Sequence, residues 1–381
     1  MLIERTNDLE HFASRLRDAD DIALDVEGDG LFRYRARLCT VQLAMRGDIR
    51  VIDALACEDR SALGDVLGAD GPRKIVHDAA FDARMLHGAG LRLGNVLDTA
   101  VTARFVGESA TGLASLLSKR FGIVLPKEQQ QADWGRRPID DDALMYLVDD
   151  VRHLFDLAES LLEDVRRLDI AQEIAEECRY VLWRAAEGSE ENVIPPWTRI
   201  SGATDLSAPA RAVLRELAVV RENAAQRWDV PAFKVISNDA LLAISRKRPR
   251  TPSELGAIPG AASGRARSLS GDILIAVRRG ETAGDAPPEE IAMLSRGSMP
   301  PEERVIRRAR EQALGAWRGE AAAQRGVDRQ VILPGHCLND LAARGAKSAD
   351  DLRGVRGLGE FRVERYGDPI LSALRGADGA A

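Results

Sequence analysis

Through residues 1 to about 165, short continuous apolar runs alternate with stretches in which apolar residues recur every third or fourth position. The runs "DIALDVEG", "RLCTVQLAM", "IRVID" and "RKIVHDAA" read as strands, the last running into a helix. Helical spacing follows through 99–120 and 140–168. The pattern predicts an α/β domain whose mixed sheet opens on hairpin-joined strands and is flanked by helices. In "ALMYLVDDVRHLF", Leu144, Leu147, Val148, Val151, Leu154 and Phe155 make one buried stripe. Tyr146 and Asp150 stand side by side at its margin, about 5 to 6 Å apart at Cβ. A further helical stretch, 168–187, leads into "GSEENVIPPWTRISGATDLSAP", whose Pro, Gly, Ser and Asn mark a connection.

Beyond it the pattern repeats at an offset of 97 residues: Leu217 meets Leu314, Arg221 Arg318, Leu255 Leu352, Gly260 Gly357 and Leu274 Leu371. A fixed offset of this kind implies a duplicated, largely helical unit of about 75 residues. "GETAGDAPPEE" opens the linker between the copies. The expected layout is an α/β domain at 1–168, a helical connection and linker at 169–206, and helical domains at 207–281 and 303–377 joined by a linker at 282–302. These are expected as separate beads, not one fused core.

With 381 residues the chain exceeds what one core organises, in keeping with several domains. Its 45% apolar and 30% charged residues fit a globular protein, and no run of 18 apolar residues or basic-then-apolar N-terminus occurs. The expectation is a cytoplasmic protein with no membrane partner. Cys39, Cys57, Cys178 and Cys337 form no C-x-x-C pair and are expected as buried, reduced thiols. A net charge of -7 argues against a generic polyanion binder, although "SRKRPR" (245–250) and "RVIRRAR" (304–310) are locally cationic. Such short runs are more often solvated helix ends than binding sites.

The acids add chemistry. Asp25 and Glu27 are two apart on a strand, so both side chains share a face, where they repel each other unless a cation lies between. Taken alone, "EGDG" reads equally well as a polar strand end. Asp82 sits at the start of a helix whose apolar side carries Phe81, Met85 and Leu86, a place that the helix dipole favours for any carboxylate. With Asp150, four carboxylates come from separate segments with no Cys/His cluster. That donor set suits hard divalent ions such as Mg²⁺ or Mn²⁺ and does not suit zinc.

The order Asp-x-Glu (Asp25, Glu27), His-x-x-x-x-Asp (His77 to Asp82) and Tyr-x-x-x-Asp (Tyr146 to Asp150) resembles the three motifs of the DEDDy 3'-to-5' exonucleases. "RLCTVQLA", "LDTAVTARF" and "ADWGRRPIDDDALMYLVDDVRHL" resemble the ribonuclease D family in particular, and the two repeats resemble HRDC domains. The resemblance covers almost the whole chain. It implies a ribonuclease-H-like α/β exonuclease domain followed by two small all-α HRDC-like domains. It also implies that Asp25, Glu27, Asp82 and Asp150 hold two divalent ions. Two ions roughly 3.5 to 4 Å apart can activate water and stabilise the leaving 3'-oxygen in an in-line displacement. Tyr146 would orient the attacking water, a free phenol titrating near 10 and so being a poor base. Tyr146 fills the slot that histidine holds in DEDDh relatives, so His77 and His153 stay outside the catalytic set. Asp78, beside His77, adds negative charge near the metals.

The same resemblance makes Gly28, Gln42 and His77 neighbours of the substrate and sets Trp134 and Arg137 at the entrance, although Trp134 reads as readily as a packing anchor. In "RGVRGLGEFRVERYG" (353–367), a helix-turn-helix, free backbone N–H groups are expected to accept a phosphate. The first copy, "IPGAASGRARSLSG", is looser. The G-x-G of the second copy, Gly357 to Gly359, sits in no βαβ unit, so no organic cofactor is expected. The leading expectation is a metal-dependent exoribonuclease acting on RNA with a free 3' end, tRNA precursors above all, and releasing 5'-monophosphates. A Werner-type DNA exonuclease and a non-catalytic RNA tether are the alternatives; all five motif positions are filled, which counts against the tether. The repeats are expected to hold the body of a larger RNA, so that removing 207–381 would weaken tRNA-sized substrates and spare short oligonucleotides.

Overall fold

A computed structural model describes residues 1–125, 132–187, 194–261, 263–294 and 301–380. Parts of both expected linkers (188–193 and 295–300) and Ala262 of the first repeat's turn lie outside the described residues. The chain forms two compact units: Met1–Gly28, Leu38–Glu190 and Met299–Ala381 make one, Asp29–Arg37 and Glu191–Ser298 the other. No described helix is long and apolar enough to cross a membrane.

The first unit is built on strands β1 (Leu2–Ile3), β2 (Asp21–Gly28), β3 (Leu38–Met45), β4 (Asp48–Asp53), β5 (Arg73–Val76) and β6 (Val96–Asp98). They form one sheet in the order β1-β4-β3-β2-β5-β6. Pairing is antiparallel across β2-β3-β4 and parallel elsewhere, the mixed sheet that the sequence predicts. The helices are α1 (Thr6–Leu16), α2 (Leu63–Leu67), α3 (Ala79–Gly88), α4 (Thr99–Phe105), α5 (Leu113–Phe121), α6 (Asp141–Arg152), α7 (Leu154–Leu168) and α8 (Ala171–Glu187). Ile22, Leu24 and Val26 of β2 pack toward α1, α2 and α3. Ala23, on the opposite face, packs with Ile75, Val151, Leu154 and Phe155. The period-2 alternation of a strand therefore turns Asp25 and Glu27, with Ala23, toward α6.

Two helix readings change. The stretch 140–168 breaks at His153, which ends α6 and begins α7. On α3 the inward stripe is Asp82, Met85 and Leu86, at i, i+3 and i+4, so Phe81 falls to the side and is exposed. The four cysteines are free and buried.

In the second unit, α9 (Ala208–Trp228), α10 (Asn238–Lys247), α11 (Pro252–Gly256), α12 (Ser270–Ala283) and α13 (Pro288–Leu294) enclose Leu214, Leu217, Leu241, Leu255, Ile273 and Val277. Gly280 lets α12 lie against α9, since a Cβ there would come within 2.5 Å of the Val213 backbone. The β2–β3 connection, Asp29–Arg37, belongs to this unit: Tyr34 joins its core, Arg33 pairs with Asp229 at 3.0 Å and Lys234 lies over the Phe32 ring. In "SRKRPR", Arg248 and Arg250 pair with Glu281.

The second repeat returns the chain to the first unit as α14 (Pro301–Arg325), α15 (Arg329–Ile332), α16 (Gly335–Arg344), α17 (Ala349–Arg353) and α18 (Glu360–Ala380). The repeat matches structurally: Leu217 and Leu314, Leu255 and Leu352 are fully buried, and Gly260 and Gly357 share positive φ (77° and 83°). In "RVIRRAR", Arg307 pairs with Glu311 and Arg310 with Asp378. Four of the eight cations in the two runs are thus paired within the fold.

The separate beads expected from sequence are not what this unit shows. α8, read as a connection, packs on α3 and shares a core with α4 and the second repeat through Cys178, Val101, Phe105 and Val331. Its acids lock the repeat in place. Buried Glu173 pairs with Arg325 at 2.7 Å, and Glu177 with buried Arg362 at 2.8 Å. Glu176 accepts from the Phe361 backbone N–H at 3.1 Å, so the glycine-turn N-terminus expected to receive a phosphate is already capped by a carboxylate.

Candidate active site

Asp25 and Glu27 leave β2 beside each other, opposite Gln42 and Thr40 of β3, just before a bulge at Gly28. α6 brings Asp150 across the same face. One carboxylate oxygen from each of Asp25, Glu27 and Asp150 lies within 4.8 Å of the others. They line a cavity of about 440 Å³, to which His77, Tyr146 and Arg104 also contribute. Asp82, on the first turn of α3, is almost wholly buried behind this trio, and its Oδ2 has no hydrogen-bond partner.

Among the described residues none of the four acids has an ion-pair partner, and their protonation reflects it. Burial, then Glu27, pushes Asp25 up to about 8. Burial, then Asp150, does the same to Glu27, also to about 8. Asp150 reaches about 8 through burial and Asp25. Asp82 is raised well above the carboxylate range by burial and then Asp25. A buried carboxylate with an unpartnered oxygen is costly unless a cation compensates it. The oxygen-only donor set of Asp25, Glu27 and Asp150, converging from β2 and α6 with Asp82 outside the trio, fits hard divalent cations.

The turn before α3 is organised by Asp98, which the sequence reading passed over. Fully buried at the end of β6, it accepts from the backbone N–H of Ala100 and Val101, capping α4, and of Asp78 and Ala79, fixing the start of α3. Asp78 is thereby held at φ 65° on the cavity wall. The signal was present as an acid immediately before a helical run in "LDTAVTARF". Thr99 donates to Val76 O and accepts from His77 Nδ1, both at 2.8 Å, which holds the imidazole at the rim.

Other expected substrate neighbours lie apart from the cavity lining. Gln42 is fully buried, its Nε2 donating to Thr40 Oγ1. Trp134 is buried and stacks on Tyr146, ring centroids 5.8 Å apart. Arg137 donates to both oxygens of buried Asp53, to Cys39 O and to Trp134 O. It thereby clamps the segment carrying Trp134 onto β3 and β4, and Trp134 in turn holds the Tyr146 ring. Burial, then Asp150, raises the Tyr146 phenol further, so it stays protonated at neutral pH.

Residues 1–166 match the family model for a 3'-5' exonuclease, and residues 210–277 and 307–374 each match that for an HRDC domain. The chain is 30% identical to ribonuclease D of Desulfotalea psychrophila over 67% of this chain and 68% of that one. It is 28% identical to ribonuclease D of Nitrobacter hamburgensis over 98% of this chain and 95% of that one. The crystal structure of Escherichia coli RNase D shares the fold, with a TM-score of 0.73 and 22% identity over 99% of this chain and 98% of that one. An exonuclease domain followed by paired HRDC modules, matched along its length by these relatives, identifies the chain as a member of the ribonuclease D family of 3'-to-5' exoribonucleases.

Proposed function

We propose that the chain removes 3'-terminal nucleotides as 5'-monophosphates by two-metal hydrolysis, with tRNA precursors as its natural substrates. The observation that carries this reading is the convergence of Asp25, Glu27 and Asp150 within 4.8 Å, backed by the orphaned Asp82 oxygen. These four carboxylates hold a pair of divalent ions, Mg²⁺ or Mn²⁺. Bound there, the ions would supply Lewis-acid activation of water and charge stabilisation at the leaving oxygen. Tyr146, a phenol one helical turn from Asp150, positions the attacking water by hydrogen bonding. The family's action on RNA supports the substrate class, and the two HRDC modules fit a substrate larger than one nucleotide. Four buried free thiols are compatible with the cytoplasm, where we place the chain.

The test is a time course on a 5'-labelled tRNA precursor and a matched DNA strand with Mg²⁺, Mn²⁺ or EDTA. Wild type should produce a ladder shortening from the 3' end of the RNA, abolished by EDTA and by Asp150→Asn. Tyr146→Phe should slow turnover roughly a hundredfold with KM nearly unchanged, as expected for a positioning group. Faster shortening of the DNA would make the chain a DNA exonuclease. RNA binding with no shortening under either metal would make it a tether.

A further inference from the structure

Two more cavities neighbour the catalytic one through shared lining residues. Arg104 lines both the catalytic cavity and a neighbour of about 510 Å³, which Arg84, Tyr180, Arg184 and His336 also line. Tyr180 in turn lines that neighbour and a third cavity of about 450 Å³, shared with Arg179, Trp183 and Arg356. All of these residues belong to the first unit. One face of α8 thus carries Arg179, Tyr180, Trp183 and Arg184, two exposed cations flanking two half-buried aromatic rings. Tyr180 stacks on His336 at 4.5 Å, and Arg356 lies 4.2 Å over Trp183.

The charge balance of this surface is lopsided. Two of its carboxylates are neutralised, Glu177 by Arg362 and Glu360 by Arg353, and Glu176 is turned to the Phe361 N–H. Arg84, Arg104 and Arg179 have no ion-pair partner among the described residues. In a chain of net charge -7, unneutralised guanidiniums beside aromatic rings, neighbouring a nuclease cavity, match a polyanion that also presents flat rings.

We propose that Arg104, Arg84 and the Arg179–Arg184 face of α8 form a track for single-stranded RNA, carrying the nucleotides upstream of the scissile bond away from the catalytic cavity. The proposal rests on the exoribonuclease reading. It makes the docked second repeat, through His336 and Arg356, one wall of the substrate path. Phosphates pair with the arginines, and bases lie against Tyr180 and Trp183.

The test measures binding of a fluorescent 12-nucleotide single-stranded RNA by anisotropy across a salt series, for the full chain and for Arg84→Gln/Arg179→Gln. Arg17→Gln, an exposed cation on the far end of α1, serves as the control. Two lost phosphate contacts should flatten the plot of log K against log salt by about 1.4 and weaken binding on the order of tenfold. The control should follow wild type. A double variant with the wild-type slope and affinity overturns the track, as does an acidic peptide that binds equally well with the same arginine dependence. Because binding is read without cleavage, a wild type that binds through these arginines yet shortens no RNA sinks the exonuclease reading and leaves the track standing.

Discussion

Asp25, Glu27 and Asp150 each titrate near 8 in the metal-free fold, whereas in the unfolded chain carboxylates titrate near 4. Between about pH 4 and 8 the unfolded chain therefore binds fewer protons than the folded one, and folding stability falls as pH rises, the loss being complete above about 8. A divalent cation that holds these carboxylates ionised removes the penalty. Thermal scans in EDTA and in millimolar Mg²⁺ should accordingly show a Tm gain that is small at pH 5 and grows toward pH 8. A gain independent of pH would contradict cation binding at these acids. At this scale the sequence was legible wherever spacing alone decides geometry. An i, i+2 pair on a strand and an i, i+4 pair on a helix leave no freedom about which side chains share a face. Asp98, Trp134 and Arg137 were harder, because a buried cap, a ring beneath a tyrosine and a clamp on Asp53 act through residues distant in sequence.

At the scale of elements, β2 was legible end to end as the apolar run 21–28 and the start of α6 within a residue, but not its end at Arg152, because the apolar period runs on past His153 into α7. α8 was legible as a helix and misread as a connection. Periodicity shows that a face is apolar but not which partner covers it, and here the cover, around Val331, lies in the last repeat. Its acidic face is a lock. Glu173 is fully buried against Arg325, with Arg362 at 3.9 Å. Glu173→Ala would leave Arg325 without its carboxylate in a largely buried place, while Arg362 keeps Glu177, and removal of one partner from such a buried pair costs about 3 to 5 kcal/mol. Urea unfolding should register that loss; a change below about 1 kcal/mol would mean that water reaches Arg325 freely.

The whole molecule inherits that lock. Removal of 303–381 should not give a tidy catalytic core with weaker substrate capture, as separate beads would. It should lower Tm and reduce cleavage of short oligonucleotides along with long ones, because Val331 and the partners of Glu173, Glu176 and Glu177 leave with it. A truncated chain with full stability and undiminished cleavage of a trinucleotide would restore the bead picture.

The discontinuity of the first unit also sets an order of events at the ribosome. Everything through α8 emerges early, Glu191–Ser298 of the second unit follows, and only then does the segment that closes α8 appear. Glu177 waits 185 residues for Arg362, which at elongation rates of about 5–20 residues per second is roughly 10 to 40 s. During that interval the nascent nuclease presents α8 with Glu173 and Glu177 unpaired and with the part of its core that Val331 completes still open. The catalytic half is thus born unfinished, and translation of its own C-terminal repeat completes it.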